Sequence, residues 1–154
     1  MLREEFKVTA GDLLNSKVPG AITKEGVKSN VSAALAYASG WISGNGCIPL
    51  NYLMEDAATA EIARIQLWQW AHYSSKLDTG EPITPELIDE LLSVVSPTIV
   101  KLVPSAKDEH VQICSEYLKK QVRQQWASEF LTSDLMPYLE YVDGVQSQWK
   151  RSVL

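Results

Sequence analysis

The sequence has few of the residues on which disulfide scaffolds and compact metal sites depend. It contains only two cysteines, Cys47 and Cys114, and only two histidines, His72 and His110, and both pairs are widely spaced. Disulfide-stapled domains and zinc sites need more such residues at short intervals. We therefore expect reduced thiols and no metal site built from this chain.

Long runs of basic residues and long apolar runs are also missing. No basic run exceeds two residues, and 19 acidic residues outnumber 14 basic ones, giving a net charge of −5. Nucleic-acid surfaces need clustered cations, and a membrane span needs about 20 apolar residues. Arg3, Glu4 and Glu5 occupy positions where a signal peptide would begin its apolar core. We expect no nucleic-acid partner, no membrane, and a cytosolic or organelle-matrix protein.

The length, the composition and the spacing of apolar residues favour one globular domain. The 154 residues are 45% hydrophobic and 21% charged, and they include five Trp and six Tyr, which is enough to fill a core. Apolar positions recur every three or four residues rather than every second one. We expect an irregular leading segment over 1–22, with at most one helical turn near 8–14, and an all-α domain of four to five helices over 23–154.

The first two helices are expected on either side of a short extended link. Thr23 can cap a helix that runs to about Ser43. Pro49 disfavours helix before it, which makes 47–53 the link. A second helix is expected from about 54–56 to Tyr73. Apolar spacing gives the inward faces as Val27, Val31, Leu35, Ala38 and Ile42 on the first, and Ala58, Ile62, Ile65, Trp68 and either Ala71 or His72 on the second.

The remaining helices follow from caps and prolines. Thr84, followed by Pro85 and Glu86, predicts a third start, and Pro97 is expected to end that helix at Ser96. A break that packs against the core is expected over 97–104. A fourth helix is predicted over 108–128 and a shorter fifth over 134–142. The inward positions expected on the fourth are Val111, Cys114, Leu118 and Val122.

One stretch is more specific than any periodicity. Residues 44–49 (GNGCIP), 53–62 (LMEDAATAEI), Arg64 and 66–70 (QLWQW) together resemble the C-terminal helical domain of malate synthase. Weaker similarity continues over 77–80 and 83–87, and upstream over 8–14 and 22–23. The resemblance covers about residues 8 to 92.

The resemblance implies a reaction whose catalytic groups are distributed between two domains. Malate synthases are acyltransferases of the glyoxylate cycle, which feeds the tricarboxylic acid cycle, and they convert acetyl-CoA, glyoxylate and water to malate and CoA. A TIM barrel holds Mg²⁺, an arginine and the metal-binding carboxylates, and a C-terminal helical plug covers the site. The plug supplies the general base, which falls here on Asp56. A carboxylate suits that role because the acetyl methyl of a thioester is a weak carbon acid.

Other residues of this stretch receive lesser roles. Glu55 is expected to cap or pair locally. Cys47 either approaches the acetyl-CoA site, as its family position implies, or is a buried structural thiol. Trp68 and Trp70 are expected to be core aromatics. Arg64 is expected to form a surface ion pair with Glu61, and His72 to lie on the helix surface or in the core.

The same resemblance predicts that the barrel is absent from this chain. One interpretation is a malate synthase fragment that carries the base but is inactive alone. The other is a non-catalytic helical module that binds a partner such as a malate synthase barrel. Ala63 and the run 71–73 depart from the family pattern. Either way, an exposed apolar face is expected. The location is expected to be peroxisome, glyoxysome or cytoplasm, and Ser152-Val153-Leu154 is a poor peroxisomal signal.

Overall fold

The computed structural model describes residues 7–15 and 20–139. It is mostly helical, which confirms the all-α prediction. Within the described residues no helix is long and apolar enough to cross a membrane. The helices are α1 (Ala10–Leu13), α2 (Lys24–Ile42), α3 (Ala57–His72), α4 (Pro85–Leu102), α5 (Asp108–Gln121) and α6 (Leu131–Leu135), and a 3-10 turn (Met136–Tyr138) follows α6.

Helix α2 is the centre of the domain. Thr23 caps it by accepting a hydrogen bond from the Gly26 N–H at 3.0 Å, and the helix ends at Ile42 with Ser43 as its C-cap, so both predicted ends are confirmed. Helices α3, α4 and α5 all pack against it. Its predicted inward face is buried. Small residues allow the close approach of the neighbouring helices, and those buried on α2 are Ala33, Ala34, Ala36, Ala38, Ser39 and Gly40.

Helix α4 starts as predicted but does not stop at Pro97. Thr84 accepts a hydrogen bond from the Leu87 N–H at 3.3 Å, and the helix then continues through Pro97 to Leu102. Pro97 is exposed, so the backbone carbonyl that its ring leaves without a helical partner can bond water. The expected break over 97–104 is therefore wrong. Burial of Val95, Ile99 and Val103 on one side stabilises the continued helix.

Helix α5 is shorter than predicted. Its inward residues Val111, Cys114, Leu118 and Val122 are buried as expected, but the helix ends at Gln121 rather than Ser128. The chain then turns back toward α3 before α6 begins at Leu131. Instead of a helix starting at 134, α6 and the 3-10 turn occupy 131–138, and the expected helix's end at Val142 lies outside the described residues.

A β-hairpin connects α2 to α3. Strands β1 (Ile48–Leu50) and β2 (Leu53–Glu55) pair antiparallel, with Ile48 opposite Glu55. The predicted link is extended, but its pairing was not predicted, because three-residue strands are too short to show an alternating pattern. Asn51 and Tyr52 form the turn with φ of 50° and 64°. Positive φ at both central residues suits a tight hairpin.

The leading segment contains α1, a single turn as predicted. Thr9 and Asp12 cap it reciprocally, with the Thr9 N–H donating to Asp12 Oδ2 at 2.8 Å. The hydrogen bond from the Thr9 hydroxyl, at 2.7 Å, and then the one from the Thr9 N–H lower the pKa of the Asp12 carboxyl. Further along, Ile22 forms a bridge with Leu77, and the Asp78 N–H donates to the Ile22 carbonyl at 2.8 Å. The domain thus begins against the loop between α3 and α4.

Candidate active site at the start of helix α3

Asp56 lies at the junction of the hairpin and α3. It is the N-cap of α3, with extended φ and ψ of −119° and −175°. Its Oδ1 accepts hydrogen bonds from the Thr59 N–H at 3.1 Å and the Thr59 hydroxyl at 3.3 Å. The side chain is exposed. The prediction that Asp56 lies at the start of the second long helix is confirmed.

The helix start keeps Asp56 ionised. The hydrogen bond from the Thr59 backbone N–H lowers the pKa of the Asp56 carboxyl below its usual range, and the Thr59 hydroxyl adds to this effect. The positive end of the helix dipole acts in the same direction. Both capping bonds end on Oδ1, so Oδ2 of the carboxylate takes part in neither. The structure thus presents a fixed, charged acceptor to solvent.

The neighbouring Glu55 differs from Asp56 in exposure. Glu55 is only 7% exposed, whereas Asp56 lies on the surface. Their positions on β2 and at the helix cap turn the two side chains to different environments. Glu55 was expected to cap or pair locally, yet the helix cap is Asp56. Of these two adjacent acids, only Asp56 is open to a ligand.

A buried tyrosine lies beneath this junction. Tyr37 of α2 is 3% exposed. Burial raises its pKa, and the negative charge of Asp56 raises it further, with smaller contributions from Cys47 and Glu61. The buried Tyr37 hydroxyl therefore interacts electrostatically with the surface carboxylate of Asp56. The sequence signalled only that Tyr37 lies on a helix between apolar positions, so its place beneath Asp56 was not predicted.

The surface beside Asp56 is apolar. Tyr52, Leu53 and Met54 of the hairpin are 108%, 64% and 73% exposed, and Ile62 of α3 is 61% exposed. Exposed large apolar side chains that follow one another along the chain, as Tyr52, Leu53 and Met54 do just before Asp56, commonly mark a contact with another protein part. The expectation of an exposed apolar face agrees with these side chains.

Cys47 is exposed, so the interpretation of it as a buried structural thiol is wrong. It immediately precedes β1 and follows a loop of glycine and polar residues that does not cover it. Cys114 is the buried thiol of the chain, and burial raises its pKa to about 12. Cys114 is thus a core residue that stays protonated, while Cys47 stays accessible near the hairpin.

The inward face of α3 differs from the predicted one. Only Ala71 of the predicted set is buried; Ala58, Ile62 and His72 are exposed, and Ile65 and Trp68 are half-buried. The helix is apolar on most sides, which weakens the periodic signal. Its buried face consists of small residues that match the alanine-rich α2, together with one arginine: Ala60, Ala63, Arg64, Leu67 and Ala71.

Arg64 is buried, although it was expected on the surface. Its predicted pair with Glu61 is present, with Nε and Nη2 donating to Oε2 at 3.0 and 2.5 Å, but the arginine is only 1% exposed. Arg64 also donates to Gln121 Oε1 at 3.2 Å and to the Ser128 hydroxyl at 2.8 Å and carbonyl at 3.0 Å. Glu61 Oε1 accepts from the Leu131 N–H. A buried polar network therefore joins α3 to α5 and α6.

The aromatic residues at the end of α3 are only partly in the core. Trp68 and Trp70 are half-buried, so the expectation that they are core aromatics holds only in part. The Trp68 indole N–H donates to the Gln124 carbonyl at 3.0 Å. His72 is exposed and stacks on Trp68 with ring centroids 4.8 Å apart. His72 is thus a surface residue, one of its two predicted alternatives.

The described residues contain no group of three His, Cys, Asp or Glu side chains that could hold a metal ion. Asp56 and Glu55 are adjacent in sequence, but one is exposed and the other buried. The part of the chain that the structure describes therefore does not fit a magnesium site. A groove of about 600 Å³ lies along α5 and is lined by residues from 109 to 138, not by Asp56.

Comparison with known proteins decides the family. The family model described as "Malate synthase, C-terminal" matches residues 21–139. The chain belongs to the malate synthase family. The glyoxysomal malate synthase of Candida tropicalis is 40% identical over 134 residues, covering 85% of this chain and 24% of that protein. Malate synthase A of Escherichia coli (strain K12) is 44% identical over 92 residues, covering 60% and 17%.

A plant relative extends the match. The glyoxysomal malate synthase of Glycine max is 34% identical over 139 residues, covering 86% of this chain and 24% of that protein. The chain thus spans about a quarter or less of the length of these malate synthases. The domain described here corresponds to their C-terminal part, and Asp56 lies within the matched region.

Proposed function

We propose that this chain is the C-terminal part of a malate synthase-type acyltransferase and that Asp56 is its general base. In this reaction Asp56 takes a proton from the acetyl methyl group of acetyl-CoA. The resulting enolate forms a carbon–carbon bond to the aldehyde carbon of glyoxylate, whose oxygen becomes the alkoxide. Protonation of that alkoxide and hydrolysis of the thioester by water then give malate and free CoA.

The observation that carries the proposal is the exposed, oriented carboxylate at the N-cap of α3. The two hydrogen bonds from Thr59 hold Oδ1, and Oδ2 remains for the substrate proton. A base that is fixed before the substrate binds does not have to be ordered during the reaction. The adjacent Glu55 is buried, which favours Asp56 as the residue in contact with substrate.

The lowered pKa of Asp56 sets a requirement for the rest of the enzyme. Contacts with Thr59 lower the pKa and keep the carboxylate charged, but they also make it a weak base. Enclosing Asp56 under another domain would remove water and raise its pKa. The exposed apolar side chains of Tyr52, Leu53 and Met54 lie where such a domain would contact this one.

Other components are assigned to the remainder of the enzyme. We place glyoxylate binding and the magnesium ion there, because the described residues do not fit a metal site, and we assign no step to a metal held by this chain. Acetyl-CoA is expected to reach Asp56 from the exposed side, where Cys47 is also accessible. Relatives named glyoxysomal support a glyoxysomal or peroxisomal location, with the cytoplasm as the alternative.

The test replaces the C-terminal segment of a full-length malate synthase with this chain. Asp56→Asn retains the size and the cap but removes the base, so kcat should fall by about 10²-fold or more with little change in KM. Asp56→Ser, which also caps helices well, should be equally impaired. Exchange of the acetyl methyl protons with deuterated solvent should be lost in both variants wherever the parent hybrid shows it.

Glu55→Gln is the matched control. Because Glu55 is buried beside the site, this variant is compared only after its melting curve shows a folded domain. It should retain most of the activity. Near-parental turnover by Asp56→Asn together with an inactive, folded Glu55→Gln would show that the base is Glu55. A folded hybrid that is inactive with Asp56 intact would favour the non-catalytic interaction module.

A further inference from the structure

We propose that Gly40 and Ile48 form a positioning contact that determines where Asp56 lies. The proposal rests on the proposed function of Asp56, but the contact itself can be tested in this chain alone. Gly40 is buried near the end of α2, and Ile48 of β1 is 3% exposed. The absence of a side chain at Gly40 is what allows Ile48 to lie against the helix.

The space at Gly40 is already filled. A Cβ added to Gly40 would lie 2.8 Å from Cγ1 of Ile48 and closer still to its Cδ1, and 3.4 Å from Cγ1 of Val103. Carbon atoms pack best at about 3.5–4.0 Å, so Ile48 would have to move by about 0.7 Å or more. Ile48 is β-branched and buried, which leaves it little freedom to change rotamer.

The loop before Ile48 cannot absorb this movement freely. The Gly40 carbonyl accepts hydrogen bonds from the Ser43 N–H at 3.1 Å and the Asn45 N–H at 2.9 Å. The Asn45 side chain also donates to the Ser105 hydroxyl at 2.6 Å. The loop is therefore anchored on both sides, and a shift of Ile48 passes into the hairpin instead.

The hairpin transmits the shift to the candidate base. Ile48 is paired with Glu55 on β2, and Asp56 follows Glu55 directly. Gly40 and Asp56 are thus linked by one side-chain contact, one strand pair and one peptide unit. A misplacement of about 1 Å can cost on the order of 10²-fold in rate. Gly40 and Ile48 are accordingly positioning residues, not catalytic ones.

The first experiment uses this chain and compares four forms by NMR: the parent, Gly40→Ala, Gly40→Ala/Ile48→Ala, and Gly46→Ala. Gly46 is the matched control because a Cβ there meets nothing within 4 Å. In Gly40→Ala, amide exchange at Ile48 and Glu55 should rise by about 10-fold. The pH titration of the Thr59 amide, which reports the Asp56 cap, should also change. Ile48→Ala removes both Cγ1 and Cδ1, the two atoms closest to the added Cβ, so the double variant should recover both signals, and Gly46→Ala should match the parent.

The second experiment places the same variants in the malate synthase hybrid. Gly40→Ala should lower kcat by about 10-fold or more while KM for acetyl-CoA stays within about 3-fold, and adding Ile48→Ala should restore kcat. An unchanged Thr59 titration in Gly40→Ala, or no recovery in Gly40→Ala/Ile48→Ala, overturns the proposal. If Gly40→Ala does not fold, Gly40→Ala/Ile48→Ala must fold, or Ile48 is not the obstacle. If the activity of the hybrid does not change with Asp56→Asn, Asp56 is not the general base. The Gly40–Ile48 contact is still decided by the NMR experiment.

Discussion

Two acidic residues lie near the start of helix α3, the exposed Asp56 and the largely buried Glu61. Asp56 is exposed, makes its hydrogen bonds only within its own first turn, and lies beside apolar side chains that face solvent. Glu61 lies one turn and a half further on. Both of its oxygens accept hydrogen bonds, from Arg64 and from the Leu131 N–H, and its side chain is 16% exposed.

The difference separates the part that stabilises the domain from the part that is open to a ligand. The Glu61–Arg64 network links elements distant in sequence and satisfies its charges internally. The junction at Asp56 has a charge, a carboxylate oxygen that takes no part in the Thr59 hydrogen bonds, and exposed apolar groups. A buried polar group must be satisfied within the fold, whereas an exposed one can be reserved for substrate or for another domain.

The largest effect is expected from breaking the network. Arg64→Ala leaves Glu61 without its cation and removes partners from Gln121 and Ser128. Losing one partner of a buried ion pair costs about 3–5 kcal/mol, so the urea midpoint should fall sharply or folding should be lost. Arg123→Ala is the control: Arg123 pairs with Asp89 at 2.6 Å, but its side chain is 41% exposed. This change should cost less than about 1 kcal/mol. Equal losses from the two variants would contradict the comparison.

A smaller effect of opposite sign is expected at the hairpin turn. Tyr52 has φ of 64° and a fully exposed side chain. Glycine adopts this conformation without steric cost, and Asn-Gly suits such a turn best. Tyr52→Gly should therefore stabilise the domain by about 0.5–1 kcal/mol, measured by urea unfolding. A loss of stability would mean that the tyrosine ring packs in solution. Lower activity of this more stable variant in the hybrid would indicate that strain at Tyr52 is kept for function.

The sequence predicted best those features that local chemistry decides. Thr23 and Thr84 are predictable as helix starts because a cap involves one side chain and N–H groups two or three residues away. The start near Asp56 follows from the extended link that ends at Leu53 and from the helical spacing after it. The family stretch located Asp56 by the residues around it. The same local information correctly indicated that Arg64 pairs with Glu61, three residues earlier.

The failures arise where distant residues decide the outcome. Pro97 locally favours a helix end, but burial of Val95 and Ile99 on either side of it keeps α4 continuous. Arg64 was expected on the surface because Gln121 and Ser128, which enclose it, follow more than 50 residues later. The contact between Gly40 and Ile48 has no sequence signature either, since it depends on how the hairpin folds back onto α2.

The smallest effect expected is the pH dependence of the α3 cap. The folded-state pKa of Asp56 is lowered, so the ionised cap stabilises the domain above the unfolded value, about 3.9. This contribution is lost as pH falls through the lowered folded-state pKa. Asparagine caps nearly as well but carries no charge to favour the helix dipole. Asp56→Asn should therefore have a slightly lower Tm than the parent at pH 7, and the gap should close below about pH 3.

Thermal melts of both forms between pH 7 and pH 3 measure that gap. Asp12→Asn is a useful control, because Asp12 also has a lowered pKa but caps the four-residue α1, which packs no buried residue. Its effect on Tm should be weaker at every pH. A gap at Asp56 that widens on acidification would mean that its carboxyl is more easily protonated in the folded chain than in the unfolded one. The open end of α3 would then already hold its carboxylate in the more basic state that proton abstraction requires, without a covering domain.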